Sequence, residues 1–293
     1  MVVKKWFVLI FPILILLFAV SSMAASFPVT VSIAPLKFFV ERIGGERVDV
    51  TVMVPPGASP ATYEPKSRQM AALTRSKLFL AIGVPFERAW LPRMRDTNPG
   101  MDVVMVNSGI KPLYMASHHH EKVGHVVKKH EGIPDPHVWT SPASARIMAR
   151  VILSALVQAD PKGSSKYNEN HGHLLAEIDA LDSDLRRLLE DKRGTRFMVY
   201  HPAWGYFARD YGLVQMPVEL EGKEPGPREL VQIIKMAKKN GIRVVFAQPQ
   251  FSEKSARIVA GAIKGKVVLA DPMAEDWANN LRHVGRSFHE ALR

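Results

Sequence analysis

The 293-residue sequence contains no cysteine. Disulfide bonds, thiolate metal sites and attachment through a lipidated cysteine are therefore excluded. Any metal ion that the chain binds has to be held by nitrogen and oxygen atoms. The signatures of several enzyme classes are also missing from the sequence, which has no H-E-x-x-H motif, no G-x-S-x-G turn and no Gly-rich phosphate loop.

Long apolar runs are scarce, and the one that stands out lies at the N-terminus. Two lysines precede the apolar run 6–20, and Ser22 and Ala24 follow it at the spacing that a signal peptidase reads. The run has about fifteen apolar residues, fewer than the roughly 20 that a membrane-spanning helix needs. We therefore expect residues 1–25 to be a cleaved signal peptide and the mature protein to be periplasmic. An uncleaved membrane anchor is the alternative.

Acidic residues are fewer than basic ones, 28 against 39, which gives a formal net charge of +11. A basic protein is attracted to anionic membrane surfaces or to nucleic acid. The basic residues are spread along the chain without the interleaved aromatic side chains that single-strand binding uses, and export separates the protein from nucleic acid. We therefore expect no nucleic-acid partner.

The region after residue 28 alternates short β-branched runs with longer amphipathic stretches, which predicts parallel strands joined by helices. The predicted strands are 29–34, 47–54, 77–83 and 102–108 in the first half, and 196–201, 243–248 and 266–271 in the second. The predicted fold class is therefore α/β, with two lobes that each contain a mainly parallel sheet flanked by helices.

A long amphipathic segment lies between the two sets of strands. Its apolar positions fall on one stripe, which predicts a single helix, and they are Leu174, Ile178, Leu181, Leu185 and Leu188. A helix of about 25 residues at 1.5 Å per residue would brace two small domains far more stiffly than a Gly/Ser linker. The predicted organisation is an N-terminal lobe over 26–160, a connector helix over 163–192 and a C-terminal lobe over 193–293.

Three residues of metal-binding types lie near the carboxyl ends of predicted strands, where open parallel sheets collect ligands. His201 and Asp271 end two strands of the second sheet, and His137 lies in the segment that leaves the first lobe. Each also has an ordinary interpretation, because a histidine after a strand is usually a satisfied polar residue and Asp before Pro is a common turn or helix cap. If the lobes face each other, the three side chains meet between them.

A histidine-rich segment precedes His137. It contains His118, His119, His120, His125 and His130. Neutral imidazoles suit borderline ions such as Zn²⁺ and Cu²⁺, and their binding should weaken as the pH falls through about 6.5. A solvated loop without a function is the alternative interpretation.

Six short segments occur in order over nearly the whole chain after residue 26. They are PPGASPATYEP (55–65), DPHVWTSP (135–142), HPAWGYFARDYGL (201–213), EGKEPGP (221–227), QPQFS (248–252) and DPMAEDWANNL (271–281). In this combination the sequence resembles the zinc- and manganese-binding solute receptors of ABC importers. The resemblance implies two α/β lobes joined by a rigid helix, one divalent metal ion in the cleft, and delivery to an ABC permease in the inner membrane. We expect a monomer.

The resemblance also assigns metal ligands, because the second, third and fourth ligand positions of that family fall on His137, His201 and Asp271. Histidine at the third position is the pattern of zinc receptors, whereas manganese receptors commonly have glutamate there, so we expect Zn²⁺ rather than Mn²⁺. The first ligand is missing, since Ala61 stands where family members usually have histidine.

A site with three protein ligands is incomplete for Zn²⁺, which prefers four. A water molecule, both oxygens of Asp271, or a nearby side chain such as Glu64 or a histidine of the 118–130 loop would complete it. The open position leaves a secreted zinc-dependent hydrolase with a His₂Asp site as one alternative function. A metal-binding adhesin is another. A receptor explains the second lobe best, because closure of two lobes around an ion would signal that the site is occupied.

Overall fold

The computed structural model describes residues 26–115, 133–219 and 223–292. Its strands form two four-stranded sheets in which every strand pair is parallel. In the first sheet the order is β2-β1-β3-β4, with strands β1 (Phe27–Ile33), β2 (Val48–Val54), β3 (Leu78–Ala81) and β4 (Asp102–Met105). Three helices connect or follow these strands, namely α1 (Ala34–Gly44), α2 (Ser67–Leu73) and α3 (Pro85–Thr97).

Burial along the first sheet follows strand position. The inner strands β1 and β3 are almost wholly buried, as expected for parallel strands covered by helices on both faces, and they read as near-continuous apolar runs. The edge strand β4 is exposed at Asp102 and Met105. The sequence pattern therefore identifies inner strands most clearly.

The second sheet has the order β6-β5-β7-β8, with strands β5 (Arg196–Val199), β6 (Val214–Pro217), β7 (Val244–Ala247) and β8 (Lys266–Leu269). Its helices are α6 (Gly205–Tyr211), α7 (Pro227–Lys239), α8 (Lys254–Ala262) and α9 (Trp277–Ala291). Strand β6 was absent from the predicted set. It is a short edge strand that ends in proline, which suits an edge because proline has no N–H to donate to a neighbour.

The connector is α5 (Ser164–Leu188), which follows α4 (Pro142–Ala159). Four of the five predicted stripe residues on α5 are buried, and Leu188 is partly buried. On the side of the first lobe α5 packs against α1 and α4, and on the side of the second lobe it packs against α9. Helix α5 lies within the predicted connector and links the two lobes, while the limits of the lobes at 26–160 and 193–293 remain predictions.

One hydrophobic core runs through both lobes, from β1 through α5 to α9. The approach of α9 to α5 is close at Gly285, where an added Cβ would lie 2.3 Å from Leu185 Cδ2. Indole hydrogen bonds add to this junction: Trp139 Nε1 donates to Pro272 O over 2.6 Å, and Trp277 Nε1 donates to Trp139 O over 2.6 Å. These contacts join the two lobes.

Several observed strands end earlier than predicted. Strand β4 ends at Met105 rather than at 108, and β3 ends at Ala81 rather than at 83. The chain leaves the sheet at these points and enters the loops that line the cleft. Over the three described ranges, no helix is both long enough and apolar enough to cross a bilayer.

Candidate metal centre

The carboxyl ends of strands from both sheets open onto one cleft. Residues 59–61 after β2 and 83–85 after β3 line it from the first lobe, and residues 250–251 after β7 and 272–273 after β8 line it from the second. Its free volume is about 90 Å³. The arrangement is the one expected of open parallel sheets, in which ligands bind beyond the carboxyl ends of the strands.

His137 and His201 meet in this cleft although 64 positions separate them in the chain. Their Nε2 atoms are 3.3 Å apart, and the ring centroids are 5.1 Å apart with an interplanar angle of 75°. Both residues line the cleft, and both side chains are largely buried. Two of the three predicted ligands are therefore brought together by the fold.

The position of His201 is fixed on several sides. Its backbone N–H donates to Gln248 Oε1 over 3.1 Å, and Gln248 Nε2 donates back to its carbonyl oxygen over 2.8 Å. Phe251 stacks on the imidazole, with centroids 4.6 Å apart and planes 26° apart. The ring Nδ1 lies 2.9 Å from Glu219 Oε2, and Glu219 is buried. These contacts aim Nε2 into the cleft.

His137 is held in a similar way by Asp135. The backbone N–H of His137 donates to Asp135 Oδ1 over 2.9 Å, and its Nδ1 lies 2.6 Å from the same oxygen. Gly205 gives the carboxylate room, because a Cβ there would lie 2.7 Å from Asp135 Oδ2. The Trp139 ring packs beside the imidazole, with centroids 5.2 Å apart.

The carboxylates determine which ring nitrogens face the cleft with a lone pair. An ionised carboxylate only accepts hydrogen bonds, so the Nδ1 atoms of His137 and His201 carry the hydrogens and their Nε2 atoms present lone pairs. The two Nε2 atoms are 3.3 Å apart, so their lone pairs repel each other unless a cation lies between them. Burial lowers the pKa of His201, and the nearby His137 acts in the same direction, while Glu219 partly opposes them. A lowered pKa favours the neutral, ligating form of the imidazole.

Asp135 and Glu219 were not predicted from the sequence. The Asp-x-His spacing of DPH was a usable signal for the first, because an Asp side chain two residues before a backbone N–H readily accepts from it. No local pattern connects Glu219 to His201, since they meet through the pairing of β5 with β6. Glu224, the described glutamate of the EGKEPGP segment, accepts a hydrogen bond from Ser255 Oγ over 2.5 Å.

Asp271 and His201 lie at the same end of the second sheet. Each follows the carboxyl end of a strand, β8 and β5, and these parallel strands flank β7. Asp271 Oδ1 accepts hydrogen bonds from Gln250 Nε2 over 2.7 Å and from the Met273 N–H over 2.8 Å. Within 26–115, 133–219 and 223–292, no group of three or more His, Asp or Glu side chains is placed to hold one metal ion. The structure thus presents the imidazole pair, and the place of Asp271 in the site remains a proposal.

The auxiliary candidates fall into two groups. Glu64 belongs to the turn that follows β2, but it is exposed and does not line the cleft, whereas Ala61 does. The histidines of the 118–130 loop lie outside the described residues. Their contribution to the site stays a prediction.

A buried carboxylate shapes the first-lobe wall of the cleft. Glu87 Oε1 accepts from the Ile82 N–H over 2.9 Å, and its Oε2 accepts from the Gly83 N–H over 2.8 Å. Ser32 Oγ also donates to Glu87. Burial raises the pKa of Glu87, and these hydrogen bonds oppose that effect. Gly83 adopts a φ of +92°, which favours glycine at this turn beside the cleft.

Two α/β lobes with parallel sheets, a connecting helix and an imidazole pair between the lobes define a two-lobed solute receptor of the metal-binding class. The chain belongs to the ZnuA family. The sequence model of this family, described as the periplasmic component A of the zinc-uptake complex, matches residues 29–291. Members of this family are the substrate-binding components of ABC transporters, and they are receptors rather than enzymes.

Individual relatives agree with this assignment. A crystal structure of ZnuA is 40% identical to the chain, with a TM-score of 0.83, and the match covers 91% of this chain and 99% of the other. The high-affinity zinc uptake system protein ZnuA of Bacillus subtilis is 27% identical over 79% of this chain and 74% of its own length. The iron-binding protein YfeA of Yersinia pestis is 29% identical over 87% of this chain and 80% of its own length.

Proposed function

We propose that this receptor captures Zn²⁺ in the cleft between its lobes and delivers it to an ABC permease in the inner membrane. The observation that carries the proposal is the imidazole pair, with both Nδ1 atoms engaged by carboxylates and both Nε2 atoms facing each other at 3.3 Å. We further propose that residues 1–25 direct export and are removed.

The separation of the two nitrogen atoms fits one tetrahedral zinc ion. Two Zn–N bonds of about 2.0–2.1 Å at the tetrahedral angle place the nitrogens roughly 3.3–3.4 Å apart. The pair has this spacing without any change of rotamer. Carboxylates behind both rings make the imidazoles more basic and fix their orientation, which strengthens metal binding.

Asp271 is proposed as the third ligand. Both hydrogen bonds that the structure describes for its carboxylate are on Oδ1, so Oδ2 is the atom that would bind the ion. Binding through both oxygens would disturb the bonds from Gln250 and Met273, so a single-oxygen bond is favoured. The methyl group of Ala61 offers no donor, and the free volume of the cleft, about 90 Å³, has room for a water molecule as the fourth ligand.

The proposed preference for zinc follows from the donor set. Two imidazoles and one carboxylate suit Zn²⁺, whereas Mn²⁺ favours sites richer in carboxylate and carbonyl oxygen. The relatives do not bind one metal alone, since YfeA is an iron-binding protein. The choice of metal is therefore a question for titration.

Calorimetric titration of metal-free residues 26–293 with Zn²⁺ and Mn²⁺ tests the proposal. We expect one tight zinc site that persists when residues 117–131 are deleted. His137→Ala and His201→Ala should each weaken it roughly a hundredfold or more, because each removes a ligand whose binding energy stabilises the complex directly. His173→Ala is the matched control, since His173 is an exposed histidine on α5.

The outcomes distinguish a zinc site in the cleft from a zinc site in the deleted segment 117–131. A tight site that disappears with residues 117–131 and persists in His137→Ala would contradict the cleft assignment. Ala61→His should tighten zinc binding, because it supplies a fourth protein ligand from a residue that already lines the cleft.

A further inference from the structure

The positive charge of the chain is concentrated in one part of the second lobe. Residues 223–270 contain ten Lys and Arg side chains and three Glu, a net charge of +7. The other described residues contain 23 basic and 22 acidic side chains and are nearly neutral. Basic residues occur along the whole chain, but acidic residues are scarce in this segment, and the resulting excess gives this part of the lobe a strong positive field.

Helix α7 presents its cations to solvent. Its buried residues are Ile233 and Ala237. Lys235 and Lys239 follow Arg228 by seven and eleven positions. At 100° per residue these three side chains lie on one side of the helix, opposite the buried residues, and all three are exposed.

Helix α8 has the same arrangement beside it. Its buried residues are Ser255, Ala256, Val259 and Ala260, while Lys254 and Arg257 are exposed on its outer side. The two helices pack against each other. Together they form the outer layer over a separate hydrophobic cluster of the second sheet. We define the exposed side of the pair, with Arg228, Lys235, Lys239, Lys254 and Arg257, as the α7–α8 basic face.

The three glutamates of the segment have local partners. Glu229 Oε2 accepts from the Gly226 N–H over 2.7 Å at the start of α7, and Glu224 hydrogen-bonds Ser255. Glu253 pairs with Arg257, and this is the one ion pair that the described residues provide for the cations of the basic face. Most of the positive charge is therefore directed to solvent.

Apolar side chains are interspersed among these cations. Val231 is 50% exposed, Ile258 is 44% exposed and Met236 is 39% exposed. Lysines and arginines surrounding exposed aliphatic side chains are typical of surfaces that lie on anionic membranes, where the cations meet lipid phosphates and the apolar groups enter the headgroup region. The basic face carries no aromatic side chain that could stack on a base.

We propose that the α7–α8 basic face binds the anionic phospholipid surface of a membrane. Such binding restricts diffusion of the receptor to the plane of the bilayer. The receptor then reaches a membrane-embedded partner in less time than it would by diffusion through the solution. Lys235 and Lys239 lie in the second half of α7, at the end of the sheet opposite the metal cleft, so metal binding does not depend on them.

Flotation of residues 26–293 with vesicles tests the proposal. One vesicle set contains phosphatidylcholine alone, and the other contains equal parts of phosphatidylglycerol and phosphatidylcholine. We expect binding to the anionic vesicles only, and we expect 0.5 M NaCl to abolish it because salt screens exposed charges. A triple variant with Lys235→Gln, Lys239→Gln and Lys254→Gln should have a partition coefficient about a hundredfold lower. Each cation near such a surface contributes about a fivefold factor.

The matched control neutralises three exposed arginines of the first lobe, Arg68, Arg75 and Arg95, to glutamine. It changes the net charge equally and should lower the partition coefficient less than threefold. Equal losses in both triple variants would overturn the proposal, as would equal binding to both vesicle sets. Binding of a duplex oligonucleotide without binding of vesicles would also overturn it. Zinc titration of each variant checks that the fold is intact.

Discussion

Gln250 Nε2 donates a hydrogen bond to Asp271 Oδ1 over 2.7 Å, while Oε1 of the same amide is buried without a hydrogen-bond partner in the described part of the chain. Gln250 lines the cleft that contains His137 and His201. The amide thus joins the proposed acidic ligand to the wall of the site. The bond orients the carboxylate before an ion arrives.

Gln250→Ala should weaken zinc binding about tenfold, because partners that orient ligands typically contribute ten- to a hundredfold to metal affinity. Calorimetry measures the change, with Gln232→Ala on the exposed side of α7 as the control. An unchanged affinity in Gln250→Ala would show that Asp271 does not depend on this bond for its part in the site.

Glu219 should influence His201 in a way that can be measured without metal. Glu219 raises the pKa of His201 against the larger lowering effect of burial, so Glu219→Ala should lower that pKa further. Titration of the His201 ring by NMR in the metal-free protein measures the shift. Zinc affinity should fall about ten- to a hundredfold in the same variant.

Glu219→Gln is the conservative control. Its amide oxygen can still accept from His201 Nδ1, so zinc affinity should be partly restored relative to Glu219→Ala. A His201 pKa that rises in Glu219→Ala would contradict the assigned contact.

The stability of the metal-free protein should depend on pH through His201. Burial holds the folded-state pKa of His201 below its ordinary value of 6.5. Just below pH 6.5 the unfolded chain therefore binds more protons than the folded chain at this residue, so the free energy of unfolding decreases as the pH falls through this window.

Urea unfolding at pH 7.5 and pH 5.5, with a chelator present, measures this effect. The wild type should lose more stability between the two pH values than His201→Gln, which removes the titrating group. Equal losses in both proteins would show that His201 does not titrate with a lowered pKa.

Two glycines, Gly285 on α9 and Gly172 on α5, should respond in opposite ways to replacement by alanine. Gly285→Ala should destabilise the protein by about 1–3 kcal/mol, because the new Cβ would overlap Leu185 at the helix contact. Gly172→Ala should stabilise it by up to about 1 kcal/mol, because this glycine lies inside α5 and a Cβ there meets nothing within 4 Å. Urea unfolding at pH 7.5 compares the two, and a neutral Gly285→Ala would contradict the close packing.

The sequence predicted the inner strands and the connector well because their signals are local. The apolar runs of β1 and β3 and the stripe on α5 each lie within a single element. Strand β6 was missed because an exposed, four-residue edge strand carries little periodicity. The ends of β3 and β4 were predicted too late because the next residues, Ile82 and Val106, are still β-branched although the chain has left the sheet.

The site was predictable only in part, for a related physical reason. His137 and His201 were found from their positions after predicted elements and from the resemblance to a receptor family. Glu219 was not found, because its contact with His201 arises from the pairing of β5 and β6. Contacts between strands that are distant in sequence have no local signature, so the carboxylates that orient a ligand are the last part of a site to be predicted.

An anomalous difference map at the zinc edge, from crystals of the zinc-loaded protein, would show directly where the ion binds. We expect one peak between the lobes, about 2.0–2.1 Å from Nε2 of both His137 and His201, with an oxygen of Asp271 in the same coordination shell. A zinc peak elsewhere in the protein, with the two imidazoles unligated, would contradict it.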